Sequence, residues 1–405
     1  MSNQNSPDII FLFPYSLTAW DAERYGFNVL IAKGLEIHVF DISALISTRL
    51  NNHSTYLEEN YIKKIKSYLI LEQQIKQHSK HSIYIDCING LNGFQWNGRK
   101  IFNLFKKYNV TYYIIEIGSL PLALPQHRIQ IISKIKKALN IPKLVTFIKW
   151  KLGKWAVHFQ CIYFNWYQFP TKIFVGNTEM LTTYLSKYHL NPCIVIPIHS
   201  FDYDKYLHYL RDHVSITSEE KICVFLDQAL AYHSDFGNAV SFRPVTSKKY
   251  IASMNQFFDK IERETGLHVV IAASPRAQSE MISAMFGNRT VIKNKTVELV
   301  AKSSLVLMHS STAVSFAVLF NKPILLIKTV EMLNAHGFSI FLDNMAIALN
   351  LKPICIDYVD EVQKLILTNY SDWQKNYDDY KYKYVMTKGL KDKTIWDIVA
   401  DEARN

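Results

Sequence analysis

The chain has 405 residues, of which 49% are apolar, so each of two domains of about 200 residues can bury its own core. Its five cysteines are scattered and form no CxxC pair, which argues against a disulfide framework and a zinc site. No secretion signal opens the chain and no apolar stretch is long enough to span a bilayer, so we expect a cytoplasmic protein.

Short apolar runs alternate with amphipathic helical patterns through the first half of the chain. The predicted strands cover residues 8–14, 35–41, 82–86, 110–116, 172–176 and 193–197. The predicted helices cover residues 20–33, 57–77, 98–108 and 179–188. Because no hairpin turns separate the strands, we expect a parallel sheet flanked by helices.

A polar and aromatic segment at residues 199–218 is followed by a second series of the same kind. Its predicted strands cover residues 221–226, 268–272, 290–292, 305–308 and 323–327. Its predicted helices cover residues 247–265, 277–285, 297–301 and 312–319, and a charged helical region follows Asp372.

The two series predict an α/β protein with two Rossmann-like domains that face a cleft. We place an N-terminal domain at residues 1–200, a C-terminal domain at residues 201–380 and a helical tail at residues 381–405. Ligands are expected at the carboxyl ends of strands between the domains.

The most informative segment leads from the strand at 305–308 through Ser310, Ser311 and Thr312 into a helix. The first backbone N–H groups of such a helix point outward, and with the helix dipole and three hydroxyls they make an anion site suited to a phosphate. His309 precedes the serines and joins them as a candidate ligand contact. The alternative is that Ser310 or Ser311 only caps the helix.

This segment, with Asn321-Lys322-Pro323-Ile324 after it, resembles the donor-binding segment of GT-B glycosyltransferases that build bacterial surface polysaccharides. Among them, sialyltransferases and Kdo transferases use CMP-sugars and carry a paired-serine motif with an upstream His-Pro motif. This chain has Ser274-Pro275-Arg276 there, so a serine replaces the histidine and Arg276 supplies a charge. The resemblance implies donor binding by Ser274, Arg276, Ser310, Ser311 and Thr312.

Candidate catalytic residues follow strands of both domains. Asp227 ends the first strand of the second domain, and His233 and Asp235 follow it closely enough to bind sugar hydroxyls or move a proton. Glu116 ends a strand of the first domain, and Glu116-Ile117-Gly118 resembles part of the acid-acid-Gly motif of the sialyltransferases. Each of these residues has a plain alternative as a solvated turn or cap residue.

Two further acids, Asp41 and Asp86, also end strands and compete with Glu116 for the role of the base that deprotonates an acceptor.

Positive charge is concentrated in one part of the first half. The formal net charge is +11, and no Asp or Glu occurs from Ile117 to Asn177, where the basic segment at residues 128–172 lies. Within it, cations alternate with tryptophans at Lys149, Trp150, Lys151, Lys154 and Trp155. This pattern favours contact with an anionic membrane surface, from which an enzyme with a lipid-linked acceptor would benefit. A solvated helix with a buried aromatic face is the alternative, and no nucleic-acid-binding motif is present.

Several absences narrow the chemistry. The chain has no GxGxxG, Walker A or GxSxG motif, which argues against a nicotinamide cofactor, a P-loop enzyme and an α/β-hydrolase. Asp202-Tyr203-Asp204 has the DxD spacing of metal-dependent glycosyltransferases, but it falls in the interdomain segment and we interpret it as coincidence. We therefore expect no metal and no cofactor, with leaving-group charge neutralised by the helix N-terminus and by Arg276 or His309.

Together these features predict a glycosyltransferase that moves a sugar, of the CMP-linked acidic class implied by the resemblance, onto a capsule or lipopolysaccharide glycan. One alternative is a nucleotide-sugar epimerase or hydrolase of the same architecture. Another is a non-catalytic basic protein that binds membranes or nucleic acid.

Overall fold

The computed structural model describes residues 6–46, 57–88, 96–117, 121, 168–176, 195–213, 220–231, 245–273, 279–333, 338–369 and 373–405. Within these residues the chain forms two separate β-sheets, and every strand pair in them is parallel.

The first sheet has seven strands in the order β3-β2-β1-β4-β5-β6-β7. They are β1 (Asp8–Phe13), β2 (Ile37–Asp41), β3 (Ile62–Lys64), β4 (Ser82–Asp86), β5 (Thr111–Glu116), β6 (Lys172–Val175) and β7 (Val195–Pro197). The strand order changes direction between β1 and β4, which is the switch point of a Rossmann-type sheet.

The second sheet has six strands in the order β10-β9-β8-β11-β12-β13. They are β8 (Ile222–Leu226), β9 (His268–Ala273), β10 (Val291–Lys293), β11 (Leu305–Met308), β12 (Ile324–Lys328) and β13 (Ile354–Cys355). Its order matches that of the first sheet without the edge strand β7, and its switch point lies between β8 and β11. The prediction of two Rossmann-like α/β domains is confirmed.

The described helices of the first half are α1 (Ala19–Arg24), α2 (Phe27–Ala32), α3 (Tyr68–His78) and α4 (Trp96–Lys107). From there the helices are α5 (Phe201–Asp212), α6 (Ser247–Thr265), α7 (Ser279–Met285), α8 (Thr296–Lys302), α9 (Val314–Leu319), α10 (Val330–Leu333), α11 (Phe338–Leu349), α12 (Val362–Asn369), α13 (Trp373–Tyr380) and α14 (Ile395–Arg404). A turn of 3₁₀-helix lies at Ile356–Tyr358 and a turn of π-helix at Lys381–Val385.

Apolar side chains alternate between the two faces of each sheet, as period-two strands buried on both sides require. Along β8, for example, Cys223 and Phe225 enter one core cluster, while Val224 and Leu226 enter the cluster on the other face. The first sheet divides its side chains in the same way, so helices cover both faces of both sheets.

Two sequence predictions differ from the structure in the first domain. The predicted helix at 57–77 contains the edge strand β3 and the shorter helix α3. Strand β3 pairs with β2, and this contact between distant parts of the chain overrides a local pattern that fits a helix. The predicted helix at 20–33 is divided into α1 and α2 at Gly26, whose φ of 58° is left-handed.

The chain crosses between the two domains twice. Helix α5 packs on the second sheet through Tyr203 and Leu207, whereas α14 returns to the first sheet, where Trp396 and Val399 are buried. His199 joins the two crossings, because one ring nitrogen lies 2.9 Å from the Leu390 carbonyl and the other 2.9 Å from the Thr387 N–H.

Asp204 on α5 accepts a hydrogen bond from the backbone N–H of Ile395, the first residue of α14. Burial raises the pKa of this carboxyl group to about 8. The folded state thus binds its proton more tightly than the unfolded state, and stability is lost as the pH rises from about 4 towards 8.

Replacing Asp204 with Asn keeps an oxygen acceptor for Ile395 and removes the titration. We expect D204N to stabilise the protein by about 2 kcal/mol at pH 8.5 and much less at pH 5. Urea unfolding at both pH values measures this, with the exposed Asp212→Asn on the same helix as the control. An equal effect of D204N at the two pH values contradicts the expectation.

Candidate functional site

A side-chain amide joins two strand ends at the switch point of the second sheet. Strands β8 and β11 are neighbours, and Leu226 and Met308 end them side by side. The Ser310 backbone N–H donates to Gln228 Oε1 at 2.8 Å, and Gln228 Nε2 donates to Ser310 Oγ at 3.4 Å. Gln228 therefore holds the loop after β11 against the loop after β8, where ligands bind in open α/β sheets.

Asp227 shapes the loop that carries Gln228. Its side chain is buried, and its Oδ1 accepts a hydrogen bond from the Ala229 N–H at 2.9 Å. Ala229 has a left-handed φ of 56°, which is an unfavourable conformation for alanine. One carboxylate oxygen thus stabilises the strained turn that includes Gln228.

His309 directly follows β11, and its side chain lies in the core on the sheet face that Phe225 occupies. It is fully buried beside Phe225 and Tyr250. Its Nδ1 is 2.7 Å from the Ile327 carbonyl, so Nδ1 carries the proton and Nε2 accepts from the Tyr250 hydroxyl at 2.8 Å. Burial lowers the pKa of this imidazole to about 4.

A neutral ring with both nitrogens bonded inside the core does not match the predicted role of His309 as a positively charged donor contact. Its bonds instead join β11 to β12 and to α6, directly before the serines. In this structure His309 positions the loop that follows it.

The three hydroxyl residues of the candidate phosphate site differ in exposure. Ser310 is buried, Ser311 is half-buried and Thr312 is exposed. Ser311 Oγ accepts from the Ala313 N–H at 3.3 Å, and the turn continues with bonds from Val314 and Ser315 to carbonyls three residues back. Helix α9 therefore begins at Val314, two residues later than predicted. Ser311 and Thr312 are the members of this group that a ligand in solvent can reach.

The Asn321-Lys322-Pro323 segment has a local structural role. Asn321 follows α9 with a left-handed φ of 55°, as helix C-termini often require. The Pro323 carbonyl then accepts from the Val306 N–H and begins the pairing of β12 with β11. This motif is the turn that returns the chain from α9 to the sheet.

In the first domain, three strand-end acids lie at the carboxyl edge of the sheet. Asp41 accepts from the Ser16 hydroxyl at 2.7 Å and from the Ser43 N–H, and Asp86 accepts from the Ile88 N–H at 2.8 Å. Both therefore stabilise turns. Glu116 ends β5 and is half-buried.

The DxD spacing falls on helix α5 and not on a strand end. Asp204 bonds to Ile395, and Asp202 shares a hydrogen bond with Ser315 on α9. Burial raises the pKa of Asp202 to about 6, against the lowering effect of that hydrogen bond. The two carboxylates thus make separate contacts, one to α14 and one to α9.

Several predicted site residues lie outside the described part of the chain. They are His233, Asp235, Ser274, Arg276 and the membrane candidates Lys149, Trp150, Lys151, Lys154 and Trp155. Sequence reasoning assigned no role to Gln228 or Tyr250. Their partners are 82 and 59 residues away, and no local pattern marks them.

No protein-family model matches this chain, and no curated protein matches it significantly in sequence. Solved structures of similar fold include the glycotransferase of kitacinnamycin, with a TM-score of 0.47 and 9% identity over 98% of each chain. The H444N variant of the wall teichoic acid polymerase TagF has a TM-score of 0.49 and 11% identity over 98% of this chain and 89% of that one. UDP-N-acetylglucosamine 2-epimerase from Rickettsia bellii has a TM-score of 0.46 and 11% identity over 98% and 97%.

None of the helices in the described part of the chain combines the length and the apolar character that crossing a membrane requires.

Proposed function

We propose that this protein is a GT-B glycosyltransferase that moves a sugar from a nucleotide-activated donor to a glycan acceptor. The observation that carries the proposal is the bond between Gln228 and Ser310 at the switch point of the second sheet. It holds two loops together at the edge where open α/β sheets bind their ligands, and it leaves Thr312 exposed beside them.

The donor phosphate fits best against Ser311 and Thr312. Their hydroxyls lie at the surface, and the turn from Ser311 to Ser315 leads into α9. Ser310 supports this turn through Gln228 and does not itself face the ligand. Because His309 is neutral, positive charge for the leaving phosphate has to come from elsewhere, and Arg276 is the proposed source.

The proton acceptor is proposed to be Glu116 or Asp227. Asp227 is close to the phosphate site in the same sheet, but one of its oxygens stabilises the turn at Ala229. Glu116 is in the other domain, as an acceptor-side base requires, and is half-buried at a strand end.

The finer assignments rest on the resemblance of the paired serines Ser310 and Ser311 to the motif of CMP-sugar enzymes. We propose a CMP-linked acidic sugar as donor, a bacterial surface glycan as acceptor and metal-independent transfer. The basic aromatic segment around Trp150 and Trp155 is proposed to bring the enzyme to an anionic membrane that carries the acceptor.

Ligand binding to the wild-type protein is the primary test. A ligand that binds only the folded state raises its melting temperature, so CMP, UDP, GDP and their sugars are compared in a thermal-shift assay with and without EDTA. We expect a CMP compound to give the largest shift, unchanged by the chelator. No shift with any nucleotide contradicts the proposed function, and consumption of a donor without acceptor supports an epimerase or hydrolase instead.

The double variant S311A/T312A tests the placement of the phosphate. We expect the donor to bind at least tenfold more weakly, a loss of about 1.4 kcal/mol or more, with little change in the melting temperature without ligand. The control is S304A. It removes a half-buried hydroxyl that directly precedes β11, at the end of the strand opposite to Ser311 and Thr312. Equal donor affinities for the double variant, S304A and wild type place the phosphate elsewhere.

A further inference from the structure

A second group of chemically active side chains lies at the opposite edge of the first sheet. Asp8 is the first residue of β1, His38 is the second residue of β2 and His78 is the last residue of α3. Parallel strands begin at one edge of a sheet, and α3 returns to that edge before β4. The fold therefore brings three residues from separate elements together, far from the carboxyl ends of the strands.

The distances in this cluster are short. One potential ligand atom from each residue lies within 4.8 Å of those of the other two. His38 Nε2 is 3.9 Å from Asp8 Oδ2 and 3.3 Å from Glu36 Oε1. The rings of His38 and His78 are 5.2 Å apart between centroids, with an angle of 52° between their planes.

This set has the chemistry of a transition-metal site. Imidazole nitrogens and carboxylate oxygens bind Zn²⁺ at about 2.0–2.2 Å, which places the ligand atoms of a tetrahedral site roughly 3.5 Å apart. The observed spacing reaches that value with small side-chain rotations, because the side chains are only partly buried. Two imidazoles favour Zn²⁺ over Mg²⁺ or Ca²⁺, which prefer oxygen ligands alone.

The surroundings also favour a cation between these groups. The two imidazole rings lie close enough for one nitrogen atom of each to bind the same ion. Asp8 and Glu36 supply two negative charges near the proposed ion, and the nearby Lys63 supplies one positive charge.

We propose that Asp8, His38 and His78, with a water molecule as the fourth ligand, form a structural site for a zinc-class divalent metal ion. The ion joins β1, β2 and α3, so its expected effect is on the stability of the first domain. The proposal is independent of the proposed sugar transfer, because the cluster lies at the edge of the sheet away from the switch point.

The test uses the full chain after removal of metals with EDTA and of the EDTA by dialysis. ZnCl₂ is titrated at pH 7.5 by calorimetry, and melting is followed with ZnCl₂ or MgCl₂. We expect one Zn²⁺ per chain, a rise in melting temperature with Zn²⁺ only, and strong visible absorption of the Co²⁺ form that indicates four-coordination. Sugar transfer at a temperature well below melting should not depend on added Zn²⁺.

The variants H38A and H78A are each expected to weaken Zn²⁺ binding at least tenfold, while H268A, at an exposed histidine in the other domain, binds as wild type does. D8N serves as a milder third variant if an alanine variant folds poorly. The proposal is overturned if wild type gives no calorimetric signal with Zn²⁺, if the Co²⁺ form shows only weak six-coordinate bands, or if H38A and H78A bind as tightly as wild type.

Discussion

The variant G26A is expected to lose about 3 kcal/mol or more of the free energy of unfolding of the first domain. Gly26 ends the turn between α1 and α2 with a φ of 58°, where an L-residue costs about 1–2 kcal/mol. A Cβ atom at this position would lie 2.1 Å from Cγ and Cδ1 of Trp396 and 2.8 Å from its Cβ. Trp396 is fully buried and its Nε1 donates to the Arg24 carbonyl, so the ring cannot move away without breaking the packing of α14.

Thermal unfolding and limited proteolysis measure this effect. We expect the melting temperature to fall by about 10 °C, because 1 kcal/mol corresponds to roughly 2–4 °C in a domain of this size. Cleavage near the C-terminus should become faster as α14 separates from the first sheet.

Gly34 offers a matched control. Its φ of 77° is also left-handed, but a Cβ there would have no neighbour within 4 Å. G34A therefore carries the backbone penalty without the steric conflict and should cost about 1 kcal/mol. In addition, W396L should remove part of the steric conflict in G26A. The double variant should therefore lose less free energy of unfolding than the two single variants lose together. Similar losses of stability in G26A and G34A would contradict the close packing of Gly26 against Trp396.

The variant H309L is expected to lose about 3 kcal/mol of stability at pH 7. It leaves the Ile327 carbonyl and the Tyr250 hydroxyl without their partner inside the core, and buried polar groups without a partner cost about 1–3 kcal/mol each. Unlike a solvent-facing ligand contact, this residue should affect folding even when no donor is present.

The stability difference between wild type and H309L should also depend on pH. The folded state binds the His309 proton more weakly than the unfolded state, because burial lowers its pKa from 6.5 to about 4. The wild type therefore keeps its stability above pH 6.5 and loses about 2–3 kcal/mol of it between pH 6.5 and pH 4.5 through this residue. H309L has no such loss, so the difference between the two proteins should shrink markedly at pH 4.5.

Urea unfolding at pH 7 and pH 4.5 measures both effects, with the exposed His208→Leu on α5 as the control. If the free energies of unfolding of wild type and H309L differ by the same amount at both pH values, the imidazole is charged or exposed in the folded state. That result would support a direct contact between His309 and a phosphate.

At the switch point of the second sheet, contacts between residues far apart in the chain determine where the side chains lie. Sequence patterns placed Asp227 and Ser310 at the carboxyl ends of two strands, and the structure has β8 and β11 there. They did not show that Ser310 is buried under Gln228, that Asp227 stabilises the turn at Ala229, or that His309 faces the core. The positions of Ser310 and His309 depend on which side of the sheet each side chain occupies and on what packs there, whereas the bond of Asp227 is local but not marked by residue type.

The sequence by itself determined the fold class and most of the elements. Helix α6 and strand β11 have the predicted bounds, because runs of apolar residues with a period of two or near 3.6 leave little choice about local structure. The repeated alternation of strands and helices also determined that both sheets are parallel.

Only the tertiary structure decided the rest. The pairing of β3 with β2, the return of α14 to the first sheet beside Gly26, and the meeting of Asp8, His38 and His78 join segments far apart in the chain. Local propensity acts over a few residues, whereas these contacts arise from the packing of whole helices and strands. The spacing of residue types along the sequence therefore does not predict them.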